Sequence, residues 1–216
     1  MGIFQAVSQM TNQGSIVYIV DDDQLLRESL SSLLRSIGLR VEIFASVADF
    51  LAFKRLDVPC CLVLDVRLQG ISGLDFQNEL VRNEETLPIV FMTGHGDIAM
   101  TVRAMKAGAI DFLAKPFRDQ DFLDAVALAL SKDLEQREVD KGMAGLRSRY
   151  QTLTVREQGI MALAASGLMN KQIASEVCLS EITVKIHRAS VMRKMDAKTF
   201  AELVRMAETL SLACKR

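Results

Sequence analysis

Five short apolar runs recur through the first part of the chain, at residues 16–20, 41–44, 60–64, 88–92 and 110–113. Short β-branched runs separated by helical patterns indicate a parallel sheet with crossover helices. The stretches between the runs carry helical periodicity and start signals. Asp23 precedes apolar positions at Leu25, Leu26, Leu30, Leu33, Leu34 and Ile37, and Gly38 closes that pattern. Ser46 opens a second, short helix and Gly73 a third, while Asp97 caps a fourth through Met100, Val102, Met105 and Lys106 to Gly108. Strands alternating with helices predict an α/β domain, a doubly wound five-stranded parallel sheet with five helices.

From Asp119 the pattern turns helical for a long way. Phe122, Val126, Leu130 and Leu134 repeat at four-residue steps, and Val139, Met143, Leu146 and Tyr150 continue the stripe. This predicts a helix past residue 130, then a helical linker at 132–148 weakened by Gly142 and Gly145. The stripe fits either an amphipathic helix lying on its own domain or a dimerising coiled seam. After Tyr150 no strand pattern appears. Thr154-x-x-Glu157 is a capping box opening a helix to Ser166, which Gly167 ends. Asn170 starts a short helix to Val177, and a turn at 178–180 follows. Ser180 caps a helix to about Lys194, and a last helix spans roughly Lys198 to Thr209. Four short helices with a tight turn between the second and third make an all-α helix-turn-helix unit. The expected domains are therefore 15–131, α/β; 132–148, linker; and 149–216, all-α.

Composition sharpens this division. The 216 residues are 50% hydrophobic and 25% charged, an ordinary globular balance with room for two small domains. The net charge of −1 hides an asymmetry. Residues 1–130 hold 11 Lys+Arg against 17 Asp+Glu, and residues 131–216 hold 15 against 10. An acidic front and a basic back imply two domains with different partners. The cysteines, Cys60, Cys61, Cys178 and Cys214, form no CxxC pair, and with only two His a zinc site is not expected. Cys60 and Cys61 lie in an apolar run and read as core residues of a protein from a reducing compartment. Residues 1–14 lack the apolar core of a signal peptide, and no run approaches the ~20 residues of a membrane span. A cytoplasmic protein without a membrane partner is expected.

In a doubly wound sheet, ligands bind beyond the carboxyl ends of the strands. Here those ends carry chemistry. The first run is followed by Asp21-Asp22-Asp23, the third by Asp65, the fourth by Thr93-Gly94 and the fifth by Lys115-Pro116. One such Asp alone would be a turn former or a helix cap. On successive strand ends, acids, a hydroxyl and an ammonium converge on one edge. Clustered hard oxygens favour Mg²⁺, and a lysine and a hydroxyl beside it suit phosphate. The set reads as a site where Asp65 accepts a phosphoryl group and Lys115 and the metal neutralise the transferred charge.

The segments Val20-Asp21-Asp22-Asp23, Leu64-Asp65-Val66-Arg67-Leu68, Thr93-Gly94-His95-Gly96-Asp97, and Ala107-Gly108-Ala109 through Lys115-Pro116-Phe117 closely resemble response-regulator receiver domains. The resemblance spans about residues 15–131. The stretch from Thr93 to Phe117 looks most like the FixJ subfamily, which includes the regulator of styrene degradation. The resemblance implies Mg²⁺ ligation by Asp22, Asp65 and the main-chain carbonyl of Arg67, with Asp21 acting mainly through water. It implies that Thr93 contacts the phosphoryl group, that Lys115 pairs with it, and that the Lys115–Pro116 bond is cis. Phe112 falls at the family's aromatic switch position. At Gln69-Gly70-Ile71 the chain departs from the pattern, since a Pro often follows the Leu there. His95 is expected to tune access to the pocket, because Asp65 already fills the acceptor role.

Residues 151–216 hold 10 Lys+Arg against 6 Asp+Glu, so pattern counts for more than charge. In the helix after Ser180, Val184, Val191 and Met195, with Met192 beside them, form a core stripe. Ile182, Lys185, Ile186, Ala189 and Arg193 form an opposite stripe that is small, apolar and basic. Such a face is either incidental and solvated or built for a major groove. In a groove Lys185 reaches bases or phosphates and Ile186 a thymine methyl. Helix N-termini hold phosphates, which makes Lys171 and Thr183 candidate backbone anchors.

Leu153-Thr154-x-Arg156-Glu157, Gly167-Leu168-x-Asn170-Lys171-x-Ile173-Ala174 and Ser180-x-x-Thr183-Val184-Lys185-x-His187-Arg188 resemble the LuxR-type DNA-binding domain over roughly residues 149–212. The resemblance implies a helix-turn-helix at about 170–189 and a last helix that dimerises. The candidate DNA-binding set is Lys171, Thr183, Lys185, Ile186, His187, Arg188, Ala189 and Arg193, with His187 touching a phosphate or packing. Two departures stand out. Cys178 occupies a turn position where Gly is usual, and Ala189 a base-facing position where a polar or basic residue is common. The last helix's stripe of Phe200, Leu203, Val204, Ala207 and Leu210 fits pairing with its twin as well as closing its own domain.

Together these readings predict a two-component response regulator of the FixJ/LuxR (NarL-type) family, not an enzyme. A sensor histidine kinase would phosphorylate Asp65 with Mg²⁺. The chain would then dimerise or free its helix-turn-helix, bind promoter DNA of two-fold character and, if an activator, meet RNA polymerase. Two rivals are a DNA-binding regulator whose receiver only docks and a Mg²⁺-dependent aspartyl-phosphate phosphatase. The phosphatase needs a general acid two residues after its nucleophile, where Arg67 stands.

Overall fold

The computed structural model describes residues 14–68, 72–83, 85–94 and 98–210. The expectations placed on Gln69-Gly70-Ile71, His95, Asp97 and Cys214 lie outside the described residues. Among those described there are five strands and nine helices, and the chain divides into two compact units, Met1–Arg137 and Glu138–Arg216.

In the first unit, β1 (Ile16–Val20), β2 (Arg40–Phe44), β3 (Cys60–Asp65), β4 (Ile89–Thr93) and β5 (Asp111–Ala114) form one parallel sheet in the order β2-β1-β3-β4-β5. Side chains alternate across it. Val17, Ile19, Cys61, Val63, Val90 and Met92 pack with Leu30 and Leu34 of α1 (Gln24–Ser36) and with Phe122, Val126 and Leu130 of the long helix α5 (Asp119–Gln151). Ile16, Tyr18, Val20, Leu62, Leu64 and Phe91 pack on the other face with Phe50 of α2 (Val47–Ala52), Phe76 and Leu80 of α3 (Gly73–Arg82) and Ala104 of α4 (Ile98–Lys106). Both faces are covered, which is why the runs of the central strands β1, β3 and β4 are apolar throughout, whereas the edge strands β2 and β5 admit Glu42 and Asp111. Each fully buried Val, Leu, Ile or Phe contributes about 1.5–3 kcal/mol.

Local signals set the helix starts. The Asp23 carboxylate accepts the N–H of Leu26, and the Ser46 hydroxyl accepts that of Asp49. Leu25, counted in the apolar pattern, is instead 78% exposed. Gly73 has a packing reason: a Cβ there would lie 2.6 Å from the carbonyl oxygen of Asp65. Only glycine lets α3 start this close to the end of β3.

The expected weak linker is one unbroken helix. α5 runs 33 residues through Gly142 and Gly145, and the division between the units falls inside it. Two glycines cost about 1 kcal/mol each, not enough to end a helix anchored at both ends. Phe122, Val126 and Leu130 belong to the first unit's core, whereas Leu146 and Tyr150 belong to a core in the second unit. Most of the stripe offered for a coiled seam is thereby used inside the units, and Val139 remains exposed.

The second unit adds α6 (Val155–Ala165), α7 (Asn170–Glu176), α8 (Glu181–Met195) and α9 (Phe200–Thr209). The capping box forms as the sequence indicates: Thr154 Oγ1 accepts the Glu157 N–H and Glu157 Oε2 accepts the Thr154 N–H at 2.8 Å. In the turn between α7 and α8, Cys178 has φ of +53°. This is the left-handed conformation that the Gly of the family pattern adopts without strain. Leu203 and Ala207 of α9 are fully buried and Leu210 packs beside them, so this part of the stripe closes its own domain, while Phe200 stays 41% exposed. No helix among the described residues is long and apolar enough to cross a membrane.

Candidate functional site

Strand register assembles the first site. Val20 lies beside Leu64, Asp65 beside Met92 and Thr93 beside Ala114. One step along the chain places Asp21, Asp65, Thr93 and Lys115 on the same edge of the sheet. Asp21, Asp65 and Thr93 are buried, and Asp22 is exposed. One carboxylate oxygen each from Asp21, Asp22 and Asp65 lie within 4.8 Å of one another. Lys115 Nζ donates to Asp21 Oδ2 at 2.6 Å and to Asp65 Oδ2 at 2.7 Å. Asp65 Oδ1 accepts the N–H of Arg67 at 2.9 Å, and Asp21 Oδ1 accepts that of Asp23 at 2.9 Å. The Lys115 N–H donates to the Thr93 carbonyl at 2.7 Å, and the Lys115–Pro116 bond is cis.

Burial pushes the Asp21 carboxyl up, against the pull of its hydrogen bond from Lys115. Burial also disfavours the Lys115 charge, but the hydrogen bonds it donates to Asp21 and Asp65 outweigh this and hold the ammonium above the ordinary lysine range. Three carboxylates thus cluster beside one ammonium, which pairs with Asp21 and Asp65. That surplus of hard oxygens fits a divalent cation such as Mg²⁺. Phe112 is half-buried, its ring 6.2 Å from that of Phe91 and tilted by 46°.

On α8, Val184, Val191 and Met195 are buried, and Lys185, Ile186, Ala189 and Arg193 lie exposed on the other side, as the periodicity implies. Lys171 is exposed on α7 and His187 is half-buried. Lys185 rests 3.5 Å from Glu181. Two members of the expected set are engaged within the fold. The Thr183 N–H, offered as a phosphate anchor, donates to Ser180 Oγ at 3.1 Å because Ser180 is the helix cap. The Arg188 guanidinium donates to Asn170 Oδ1 at 2.6 Å and lies 4.6 Å over the Phe200 ring. Arg188 therefore ties α8 to α7 and α9 and sets the angle of the exposed face.

Sequence reasoning missed Glu157 as more than a cap. It is buried, with Lys194 Nζ 2.7 Å from Oε2 and Ser190 Oγ 2.7 Å from Oε1. This fastens α8 to α6. The Lys194 ammonium, then Ser190, pull the Glu157 carboxyl from the ordinary 4.5 down to about 2. A depressed carboxylate stabilises the fold in full above its unfolded pKa, and that stability is lost as pH falls from about 4.5 towards 2. Glu157→Gln should destabilise the second unit by about 1–3 kcal/mol at pH 7. The gap from wild type should narrow below pH 4.5 and close only as pH falls to about 2 and below. Hydrogen exchange of α6 and α8 amides across this pH range measures it, and a gap independent of pH would refute the assignment.

The comparisons agree with this geometry. Residues 17–127 match the family described as "Response regulator receiver domain", and residues 151–207 match "Bacterial regulatory proteins, luxR family". Nodulation protein W of Bradyrhizobium diazoefficiens is 55% identical, over 92% of this chain and 88% of its own length. Transcriptional regulatory protein FixJ of Azorhizobium caulinodans is 43% identical, over 88% and 90%. The solved structure of response regulator StyR superposes with a TM-score of 0.80 at 46% identity, covering 90% of this chain and 98% of that one. An acid-lined receiver edge and a LuxR-type helical unit, with relatives matched over 88–92% of the chain, make this chain a member of the FixJ/LuxR family of two-component response regulators, which are transcriptional regulators.

Proposed function

We propose that Asp65 is the phosphoacceptor of this regulator and that its phosphorylation by a sensor histidine kinase controls binding of α8 to promoter DNA in the cytoplasm. The carrying observation is Lys115 Nζ, 2.6 Å from Asp21 Oδ2 and 2.7 Å from Asp65 Oδ2. A carboxylate oxygen of Asp65 forms the new bond to phosphorus. The bond from phosphorus to the donor atom breaks, and its electron pair stays on the donor. Asp22, Asp65 and the Arg67 carbonyl would hold Mg²⁺, with Asp21 acting through water, and the metal supplies positive charge for the transferred oxygens. Once Asp65 carries the phosphoryl group as an acyl phosphate, the negative charge sits on that group, and Lys115 stays to pair with it. Thr93 meets the same group and Phe112 reads its movement, which shifts a two-state equilibrium towards a form that dimerises. Two copies then present two α8 helices to a site of two-fold character. RNA polymerase is the further partner if the regulator activates.

Lys115→Ala should uncouple labelling from output, because a ligand shifts an equilibrium only through contacts that differ between the states. Light scattering on a short selected DNA fragment, at matched acetyl phosphate labelling, should find two wild-type chains per DNA and far fewer paired chains for the variant. An undiminished shift to the paired form in Lys115→Ala would contradict the role given to Lys115.

A further inference from the structure

The long helix α5 is fastened to the first unit by a buried carboxylate that the phosphoacceptor site does not use. Asp133 is 6% exposed. Its Oδ2 accepts the backbone N–H of Cys60 at 2.8 Å and the Nε of Arg137 at 2.6 Å. Arg137 Nη1 also donates to Asp57 Oδ1 at 2.6 Å, in the chain leading into β3. Cys60 is the first residue of β3, and Asp65 is its last. After Arg137, residues 138–142 are all exposed, and the next buried residue is Leu146. Gly142 and Gly145 lie in that interval with no atom within 4 Å of where a Cβ would stand. A short, solvent-exposed helical stretch is marginal in water even with an ion pair such as Glu138–Lys141, and glycine weakens it further.

We infer that Asp133 and Arg137 form a clamp that fixes where α5 stops being held by the first unit, and that residues 138–145 are a hinge whose helicity the clamp maintains. The clamp ties the hinge to the base of the strand whose other end carries Asp65. β3 is buried along its whole length, so a change at Asp65 can reach Cys60 through a packed, continuous element. The inference rests on the reading of Asp65 as phosphoacceptor.

Arg137→Gln and Asp133→Asn in the full chain test it, against a DNA fragment selected from a random pool by the wild type. Amide exchange at 138–145 should quicken about tenfold while the amides of β3 and β4 keep their rates. Labelling of Asp65 by acetyl phosphate should stay within about twofold of wild type, and the gain in DNA affinity on labelling should fall at least about fivefold. Arg137→Gln keeps Asp133 bonded to Cys60, so it serves if Asp133→Asn fails to fold. Unchanged exchange at 138–145, an undiminished affinity gain, or lost labelling in Arg137→Gln overturns the clamp. A wild type that labels but gains no DNA affinity overturns the phosphorylation reading and the clamp with it, whereas a wild-type gain that Arg137→Gln keeps overturns the clamp alone.

Discussion

Asp65→Asn should abolish labelling by acetyl phosphate, while the wild type should label only when Mg²⁺ or a similar divalent ion is present. The amide is close to the carboxylate in shape. Its carbonyl oxygen can still accept the Arg67 N–H, which now bonds Asp65 Oδ1 at 2.9 Å. Lys115 keeps Asp21 at 2.6 Å. The variant therefore folds, and what it loses is nucleophilicity, since a neutral amide is a far poorer attacking group than a carboxylate. It also removes one of the charges that make the pocket a cation site. Phosphotransfer depends on both features, so the loss is complete rather than graded. Mass spectrometry of the intact chain reads it directly. Labelling of Asp65→Asn at the wild-type level would move the acceptor elsewhere and end the proposal, and Asp22 and Asp21 would be the next residues to replace.

The receiver half was legible in the sequence because central parallel strands buried on both faces leave unbroken apolar runs, and the residues that follow the runs mark the sheet edge. Reading Asp21, Asp65, Thr93 and Lys115 as one cluster needed only that rule. Caps were equally plain: Asp23, Ser46, Thr154 and Ser180 all accept the N–H three residues on. What escaped were pairings between distant positions. Glu157 meets Lys194 across 37 residues, Arg188 meets Asn170 across 18, and Asp133 meets the backbone of Cys60 across 73. Nothing local distinguishes a charged residue that will be buried against a far partner from one that stays in water. Arg188 entered the expected DNA-binding set through its place in the LuxR-type pattern, which does not display its bond to Asn170. The unbroken course of α5 was obscured by the same limit. Gly142 and Gly145 argue locally for an interruption, while the anchors that hold the helix, Asp133 on one side and Leu146 on the other, lie outside that window.

The recognition face offers the second large effect. Lys185→Ala should weaken binding to the selected DNA by about 1–3 kcal/mol, roughly 5- to 150-fold, if its ammonium makes a good base-edge contact. The fold should not notice the change. Lys185 is exposed, and its pairing with Glu181 at 3.5 Å is a solvated helix pair worth about 0.3–0.5 kcal/mol. The supports of α8 remain in place: Val184, Val191 and Met195 in the core, Glu157 on Lys194, and Arg188 on Asn170. A loss of affinity in this variant therefore reports on the DNA contact alone. Titration at several salt concentrations separates two forms of that contact. A base contact raises the dissociation constant on specific DNA far more than on random DNA. A phosphate contact weakens both alike and lowers the salt slope by about one. Ile186 stands beside Lys185 on the same exposed face at 64% exposure. Ile186→Ala should cost less affinity but relax preference at one base pair, as expected of contact with a thymine methyl. Ala189 carries no polar group, so sequence discrimination on this helix falls chiefly to these two neighbours. If both variants bind specific and random DNA as the wild type does, at every salt concentration, α8 does not face the groove and the DNA surface lies elsewhere on the second unit.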